Sequence, residues 1–258
     1  MFVRQAGATP PERLTVLPPY LFQEIDRVKR ELTKQGKDII DFGVGDPDLP
    51  TPKIIIDELS RAAGDPRNHR YALDAGMPEL RAEIAEWYKT RFHVNLDPDT
   101  EVLPLLGSKE GIGHLPLALI NPGEAVLIPN PGYPVYRSGT VFAGGVPVDM
   151  PLTASNHYLP DLTKIASGDL EKARLMFLNY PNNPTSACAD ESFFRFIVNF
   201  AAQRGIVVAH DFAYSEITFD GYRPPSFLSV DGAKEMGVEF HSLSKTFNMT
   251  GWRVGFAV

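Results

Sequence analysis

The pattern of hydrophobic and polar positions changes near residue 101. Before this point, apolar residues recur at the spacing of one helix face and predict three helices, over 21–35, 53–63 and 78–92. DIIDF (38–42) predicts a short strand followed by a loop rich in Gly, Pro and Asp. Residues 1–20 are rich in proline and are predicted to be irregular.

After residue 101, short apolar runs alternate with helical stretches. The runs are AVLIP (125–129), VPVDM (146–150), RLMFLNY (174–180), GIVVAHD (205–211), VEFHSL (238–243) and RVGFAV (253–258). Strands that alternate with helices in this way indicate a mostly parallel sheet covered by helices on both faces. We therefore predict a three-layer α/β/α domain, whose ligands bind at the carboxyl ends of the strands.

Composition excludes several classes of partner. The 258 residues are 43% hydrophobic, enough for one large α/β domain or two small ones. A net charge of −7 without a basic tract argues against nucleic acid. The single cysteine, Cys188, and an N-terminus without an apolar signal core predict a cytoplasmic protein. No apolar run approaches the roughly 18 residues of a membrane span, and the histidines show no metal-binding spacing.

A lysine follows one of the predicted strands in SLSKTFNMTGWR (242–253). Lys245 lies directly beyond VEFHSL, between hydroxyl residues. Burial favours the neutral lysine amine, which is the form that attacks an aldehyde. Ser242, Ser244 and Arg253 offer hydrogen-bond donors to a nearby phosphate. The alternative is a surface lysine beside a serine-rich turn.

Polar residues follow other strands as well. Asp211 ends VVAHD and suits a protonated ring nitrogen, or the N-cap of a helix. Tyr214 comes three positions later. LNYPNNPT presents Asn183 from a rigid turn, and NPGYPVY presents Tyr133 for stacking on a flat ring; a plain turn and rim packing are the alternatives. GSKEGIG (107–113) opens a helix whose backbone N–H groups suit a phosphate, although it matches no nucleotide-binding loop.

Taken in order, these motifs resemble those of fold-type I, class I/II aminotransferases, which use pyridoxal phosphate. The resemblance runs from about residue 20 to the last residue. It is strongest to the LL-diaminopimelate aminotransferase group. The motifs that carry it are GVGDPDLPTP, HRYALDAGMPELR, GSKEGI, NPGYPVY, LNYPNNPT, HDFAYSEITFDGYRPPSF and EFHSLSKTFNMTGWRVGFAV.

The resemblance assigns roles around the cofactor ring. It implies that Lys245 forms a Schiff base with pyridoxal phosphate and moves the proton in catalysis. Asp211 would keep the pyridine nitrogen protonated, while Asn183 and Tyr214 would bind the ring oxygen. Tyr133 would stack on the ring face.

The resemblance also assigns phosphate, substrate and subunit contacts. Residues implied to bind the phosphate are Ser108, Lys109, Ser242, Ser244 and Arg253. Tyr71 would reach the phosphate of a neighbouring subunit, which implies a homodimer with shared sites. Gly45 would lie close to the substrate, as would Tyr133 and Asn183.

The implied reaction moves an amino group between an amino acid and a 2-oxo acid, with LL-diaminopimelate and 2-oxoglutarate as the pair, in lysine biosynthesis. Alanine- and aspartate-type aminotransferases remain alternatives, since NPT-x-x-C before a Phe pair also resembles alanine-type members. A third alternative is a truncated chain that binds the cofactor without turnover.

The chain departs from the family pattern at several places. Ser186 stands where Gly is usual, and Phe212 where a small residue is common. We expect residues 1–45 to form an N-terminal arm and the start of a small domain, and 46–258 to form the cofactor-binding large domain. The rest of the small domain, with the arginine that binds the substrate carboxylate, is expected to be absent from this chain.

Overall fold

A computed structural model describes residues 9, 11–19, 21–43, 45–72 and 75–258 of the chain. Contacts divide the chain into two units, Met1–Asp46 and Pro47–Val258. The assignment of the first unit to an arm and a small domain stays a prediction, as does that of the second to a cofactor-binding domain.

The described residues of the first unit include two helices, α1 (Glu12–Thr15) and α2 (Leu21–Lys34). Helix α2 confirms the predicted helix, whereas α1 is a single turn inside the segment predicted to be irregular. The predicted strand at 38–42 is wrong, because residues 37–43 have no regular secondary structure. An alternating sequence forms a strand only when a neighbouring strand satisfies its backbone groups, and these residues pair with no strand in the described chain.

The helices of the second unit begin and end close to their sequence signals. They are α3 (Lys53–Ala63), α4 (Pro78–Phe92), α5 (Ser108–Leu119), α6 (Pro134–Phe142), α7 (Ser167–Lys172), α8 (Glu191–Ala202) and α9 (Leu243–Thr246). The predicted bounds of α3 and α4 are confirmed. Asp190 caps α8, because its side chain accepts a hydrogen bond from the Phe193 N–H at 2.8 Å.

The strands of the second unit form one seven-stranded sheet in the described chain. They are β1 (Leu103–Leu105), β2 (Ala125–Asn130), β3 (Val146–Pro151), β4 (Ala173–Leu178), β5 (Val207–Asp211), β6 (Gly237–Ser242) and β7 (Gly255–Ala257). Their spatial order is β1-β7-β6-β5-β4-β2-β3. Strands β2 to β6 pair in parallel, and β7 is antiparallel to both of its neighbours. The predicted, mostly parallel sheet is confirmed.

Helices cover both faces of this sheet. Successive strand residues point to opposite faces, and Val208 and Ala209 of β5 accordingly belong to different hydrophobic clusters. The cluster around Val208 includes apolar residues of α4 and α8, and the cluster around Ala209 includes those of α5 and α6. The three-layer α/β/α arrangement expected from the sequence is confirmed.

Candidate active site

The sheet order brings the predicted site residues to one edge. Strands β2, β4, β5 and β6 are parallel, so their carboxyl ends meet there, and β1 points the same way because it and β6 are both antiparallel to β7. Strand β7 runs in the opposite direction, so its first residue, and not its last, lies at this edge. Read across the sheet from β1 to β2, the residues at this edge are Ser108, Arg253, Lys245, Asp211, Asn183 and Tyr133.

Asp211 is the buried last residue of β5. The Tyr136 hydroxyl donates a hydrogen bond to its Oδ2 at 2.8 Å, while Oδ1 has no hydrogen-bond partner among the described residues. Burial raises the pKa of the Asp211 carboxyl, although the bond from Tyr136 acts in the opposite direction. Burial and the Asp211 charge also raise the pKa of Tyr136 well above its ordinary value, so this hydroxyl stays a donor. Within the described part of the chain, this acceptor oxygen remains open to a further donor.

Asn183 and Tyr214 lie together beside Asp211. The Tyr214 hydroxyl and the Asn183 side chain are hydrogen-bonded to each other. Burial, and then the charge of Asp211, raise the pKa of the Tyr214 phenol, while the bond with Asn183 lowers it. Two neutral polar groups therefore stand next to the buried carboxyl.

Tyr133 is held by an aromatic contact with Tyr136. It is half-buried at the N-terminus of α6, and its ring lies edge-on to that of Tyr136, with centroids 5.8 Å apart. Tyr136 in turn stacks on Phe177 at 4.8 Å. Because Tyr136 also bonds Asp211, one side chain positions both the predicted ring stacker and the predicted ring-nitrogen partner.

Lys245 lies in the single turn that follows β6. Ser242 opens this turn, α9, since its Oγ accepts a hydrogen bond from the Ser244 N–H at 3.3 Å. Ser244 is buried and Lys245 is half-buried. Strand β6 pairs with β5 as far as Asp211, so the turn that carries Lys245 follows the strand next to the one that ends in the carboxylate.

Arg253 and the N-terminus of α5 lie together and form a cradle whose chemistry suits an anion. Gly107 precedes the helix with a φ of +83°, and a Cβ placed there would lie 2.3 Å from Arg253 Nη2. A Cβ on Gly255 would lie 2.6 Å from the Ser108 backbone N. A side chain at Gly107 would therefore displace the guanidinium from the helix start, and one at Gly255 would collide with the Ser108 backbone. Unsatisfied N–H groups at a helix start and an arginine fork both favour a phosphate.

Together these features fit pyridoxal phosphate. The ring nitrogen has a buried acceptor in Asp211 Oδ1, the aldehyde has the amine of Lys245, and the phosphate has the cradle around Gly107. Each feature is an independent property of the chain's own residues.

Three further predicted residues are Tyr71, Lys109 and Gly45. Tyr71 is 94% exposed in the segment before α4, and the Lys109 side chain is also exposed. Gly45 belongs to the first unit, so its place beside the substrate stays a prediction. Over the described residues, no group of three His, Cys, Asp or Glu is arranged for a metal ion. Within the same residues, no helix has the length and apolar character needed to cross a bilayer.

A buried polar network beneath the site was missed from the sequence. Glu239, inside β6, is fully buried. Its carboxylate accepts hydrogen bonds from His210 Nδ1 at 2.7 Å, Tyr88 Oη at 2.8 Å, Ser226 Oγ at 2.6 Å and the Phe227 N–H at 2.9 Å. Burial alone would raise the pKa of Glu239, but the hydrogen bond from His210 and the nearby His241 ring, 3.9 Å away, hold it well below its ordinary value. The signal for this network is a glutamate inside the apolar run VEFH.

The remaining missed residues are Tyr136 and Asn179. The Asn179 side chain donates a hydrogen bond to the Asp211 carbonyl and accepts one from the Asn183 N–H, both at 2.7 Å. Tyr136 follows Tyr133 by three positions on a helix, a spacing that is more typical of core packing. Neither contact follows from the spacing of residues along the chain.

Comparisons with known proteins identify the family of the chain. The sequence pattern of the family "Aminotransferase class I and II" matches residues 37–258. The LL-diaminopimelate aminotransferase of Syntrophobacter fumaroxidans is 58% identical over 96% of this chain and 64% of that protein. The enzyme of the same name from Desulforudis audaxviator is 55% identical over 95% of this chain and 63% of that protein. The apo-BacF structure from Bacillus subtilis is 45% identical, with a TM-score of 0.91, and is covered for 64% of its length.

The chain thus spans less than two thirds of the length of these relatives, and its match to the family pattern covers 37–258, which includes the whole candidate site. The apo-BacF structure shares the fold described above over 97% of this chain, and the strand-end residues stand in the motifs that carry the resemblance. On this combination of sequence, fold and site, the chain belongs to the class I and II aminotransferase family.

Proposed function

We propose that this chain is the cofactor-binding part of an aminotransferase that uses pyridoxal phosphate. The observation that carries the proposal is the buried Asp211 carboxyl, whose Oδ1 has no partner among the described residues. A fold that buries such a group for stability alone would satisfy both oxygens, because an unpaired buried acceptor is unfavourable by about 1–3 kcal/mol. A protonated pyridine nitrogen would donate a hydrogen bond to this oxygen.

Bound pyridoxal phosphate would supply a ring that withdraws electrons from the reacting substrate carbon. Asp211 would hold the proton at the ring nitrogen, and Asn183 and Tyr214 would bind the ring oxygen. Tyr133 would cover a ring face and orient it. Lys245 would bind the cofactor through Nζ, and the same atom would carry the proton removed from the substrate.

The phosphate would be bound at the start of α5. There the Arg253 guanidinium lies against Gly107, and the backbone N–H groups of Ser108 and Lys109 in the first turn of the helix would bind the phosphate beside it. Ser242 and Ser244, which open α9, would add hydroxyl donors. The phosphate would thereby anchor the ring in one orientation between Asp211 and Lys245.

For the substrates, we propose LL-diaminopimelate as the amino donor and 2-oxoglutarate as the acceptor, in lysine biosynthesis. The support is that relatives of 54–58% identity carry the name LL-diaminopimelate aminotransferase. Gly45, Tyr133 and Asn183 are the residues that we expect beside the substrate.

We also propose a homodimer in which each subunit completes the site of the other. Tyr71 supports this proposal because 94% of its side chain is exposed, so that it is open to contact with a second copy. In the dimer, its hydroxyl would bind the phosphate held by the partner.

The cofactor proposal is tested by titrating the chain with pyridoxal phosphate and following visible absorbance. We expect a band from the covalently bound cofactor that is lost in Lys245→Ala. Lys172→Ala, at the end of α7, is the matched control and should keep the band. An unmodified chain without a band at any pH, or an unchanged band in Lys245→Ala, would exclude the proposal.

The substrate proposal is tested by adding single amino acids to the loaded chain. LL-diaminopimelate should convert the bound cofactor to its pyridoxamine form faster than alanine or aspartate does. Faster conversion by alanine or aspartate would instead support an alanine- or aspartate-type enzyme. A band that no amino donor changes would support a chain that binds the cofactor without turnover.

A further inference from the structure

Asn179 is a fully buried amide at the end of β4, with 1% of its surface exposed. Its Nδ2 donates hydrogen bonds to the Asp211 carbonyl at 2.7 Å and to the Pro181 carbonyl at 3.3 Å. Its Oδ1 accepts from the Asn183 N–H at 2.7 Å. Both ends of the amide are therefore engaged, which fixes its orientation.

These bonds connect the two strand ends beyond their last backbone contact. The ladder between β4 and β5 ends with the pair Leu178 and His210, one residue before Asn179 and Asp211. Past that point the strands diverge into separate loops. Beyond the last backbone pair, the bond from the Asn179 amide to the Asp211 carbonyl connects the two strand ends. Through Oδ1, the same amide also binds the N–H of Asn183, in the loop that presents the Asn183 side chain.

A second contact crosses the same gap in the opposite direction. The Tyr180 N–H donates a hydrogen bond to His210 Nε2 at 3.3 Å, and His210 Nδ1 is held by Glu239 at 2.7 Å. The Asn179 side chain, just after β4, is thus hydrogen-bonded to the backbone of β5. The His210 side chain, in β5, is hydrogen-bonded to the backbone just after β4. The Asn183 and Asp211 backbones are thereby held in one fixed arrangement.

We propose that Asn179 is a positioning residue that sets the distance between the Asn183 side chain and the Asp211 carboxyl. This inference rests on the proposed function, in which those two groups bind different positions of one pyridine ring, its oxygen and its nitrogen. A ring of fixed size is bound well only if its partners stand at a fixed separation. Asn179 would contact neither the cofactor nor the substrate, and would act through the two residues that do.

The test uses Asn179→Ala, which removes all three bonds, and Asn179→Asp, which keeps an acceptor but removes the donor. In each variant we expect the dissociation constant of pyridoxal phosphate to rise about tenfold or more, because two or three buried hydrogen bonds that position its partners are lost. Binding of inorganic phosphate should change less than twofold, because the cradle at α5 does not involve Asn179. In the cofactor-free variants, amide exchange in the peptide 179–187 should be faster than in the unmodified chain.

Ile197→Val, in α8, is the control for a general loss of stability. Ile197 is fully buried but contacts the site through none of the bonds above. It should lower the melting temperature and leave cofactor affinity unchanged. If Asn179→Ala does not fold, Asn179→Asp and its exchange rates still provide the comparison.

Several results would overturn the inference. One is cofactor affinity within twofold of the unmodified chain in both Asn179 variants; another is an equal loss of affinity for phosphate and cofactor; a third is unchanged exchange over 179–187. If the unmodified chain shows no visible cofactor band, the proposed function fails and the positioning role fails with it. An unmodified chain that binds while both variants bind equally well refutes the role of Asn179 alone.

Discussion

Asp211 is a carboxyl group that the fold buries with Oδ1 unsatisfied by the described residues. Its pKa is raised by burial, so the folded chain binds a proton more readily than the unfolded chain does. Above the unfolded pKa of about 4, this difference lowers the stability of the cofactor-free chain. Stability of the cofactor-free chain therefore favours a neutral side chain at position 211, whereas the proposed cofactor binding favours a charged one.

Replacing Asp211 by Asn should separate these demands. In the cofactor-free chain at pH 7, Asp211→Asn should raise the free energy of unfolding by about 1 kcal/mol, because it removes a buried charge while still accepting the Tyr136 bond. With pyridoxal phosphate present, the variant should gain less stability than the unmodified chain. Urea unfolding with and without cofactor measures both effects.

The control is Asp231→Asn, an exposed acidic residue in the loop before β6, which should change neither quantity. A cofactor-free Asp211→Asn variant that is less stable than the unmodified chain would contradict the argument. So would an equal stabilisation of both proteins by the cofactor.

Ser186 is an L-residue in the left-handed region, with a φ of +60°. Gly adopts this conformation without the steric penalty of a Cβ. We expect Ser186→Gly to raise the free energy of unfolding by up to about 1 kcal/mol, with some of the gain lost to the greater freedom of the unfolded chain. Thermal or urea unfolding measures the change.

Ser60→Gly provides the opposite case. Ser60 is an exposed residue inside α3, where Gly is less favourable in a helix interior by several tenths of a kcal/mol. This variant should be destabilised, and two changes of the same sign would argue against a conformational cause at Ser186.

Residue by residue, the sequence reveals what terminates a strand but not what packs across layers. Lys245, Asp211 and Asn183 are recognisable because each follows an apolar run directly. Tyr136 and Asn179 contact the site only through side-chain directions that emerge on folding. Such contacts join residues 32 and 75 positions apart, and no local spacing encodes them.

Strands β5 and β6 are held together by the Glu239 network as well as by their ladder. The pKa of Glu239 lies well below its unfolded value, so its contribution to stability is present above about pH 4.3 and is lost as the pH falls toward the folded pKa. Glu239→Gln should lower the free energy of unfolding at pH 7 by roughly 3 kcal/mol, the scale for breaking a buried charged network. The effect is measured as the melting temperatures of both proteins between about pH 3 and pH 7, an interval that includes the usual carboxyl pKa.

The difference between the unmodified chain and Glu239→Gln should shrink as the pH falls. Asp211 titrates in the opposite sense, since its folded pKa is raised, but it is present in both proteins and cancels in the difference. A difference that is constant over the whole pH range would show that the network stabilises by shape and not by charge.

Elements are predictable from sequence where their own residues supply the pattern. The long helices and strands β2 to β6 each carry a clear apolar run. Strand β1 was missed because it has three residues, one of which is Pro104. The antiparallel direction of β7 is also hidden, since its run resembles the others and only its pairing with β6 and β1 reveals the reversal. Residues 38–42 show the converse case. They carry a strand pattern, but no strand of the described chain pairs with them.

At the scale of the molecule, the sheet order converts a sequence of motifs into a site. Ser108 and Arg253 are 145 positions apart in the chain, yet the pairing of β1 with β7 places them at neighbouring strand ends. The reversal of β7 is what brings Arg253 to the edge where the parallel strands finish. Had β7 run parallel to β6, the residue before it would lie at the opposite edge.

The proposed homodimer requires a surface for the second copy, and α3 is the surface that we expect. This helix lies wholly within the described residues and has no buried side chain, although Ile54 is 78% exposed and Leu59 is 51% exposed. Tyr71 follows it closely in the chain. Large exposed apolar side chains on one helix are typical of a contact surface.

Ile54→Glu together with Leu59→Glu should therefore convert the dimer to monomer, as measured by sedimentation over a range of concentrations. A two-fold interface presents each substituted residue twice, so the variant places four carboxylates in one contact. Phe196→Glu is the matched control, since Phe196 is 49% exposed on α8. It should leave the dimer intact. A monomeric unmodified chain, or equal dissociation of the control, would exclude α3 as the interface.

Cofactor affinity gives a second test of the shared site. In the monomeric α3 variant, Tyr71 would have no partner site to bind, so cofactor affinity should fall there and in Tyr71→Phe alike. A monomer that binds the cofactor as tightly as the dimer would refute the shared site.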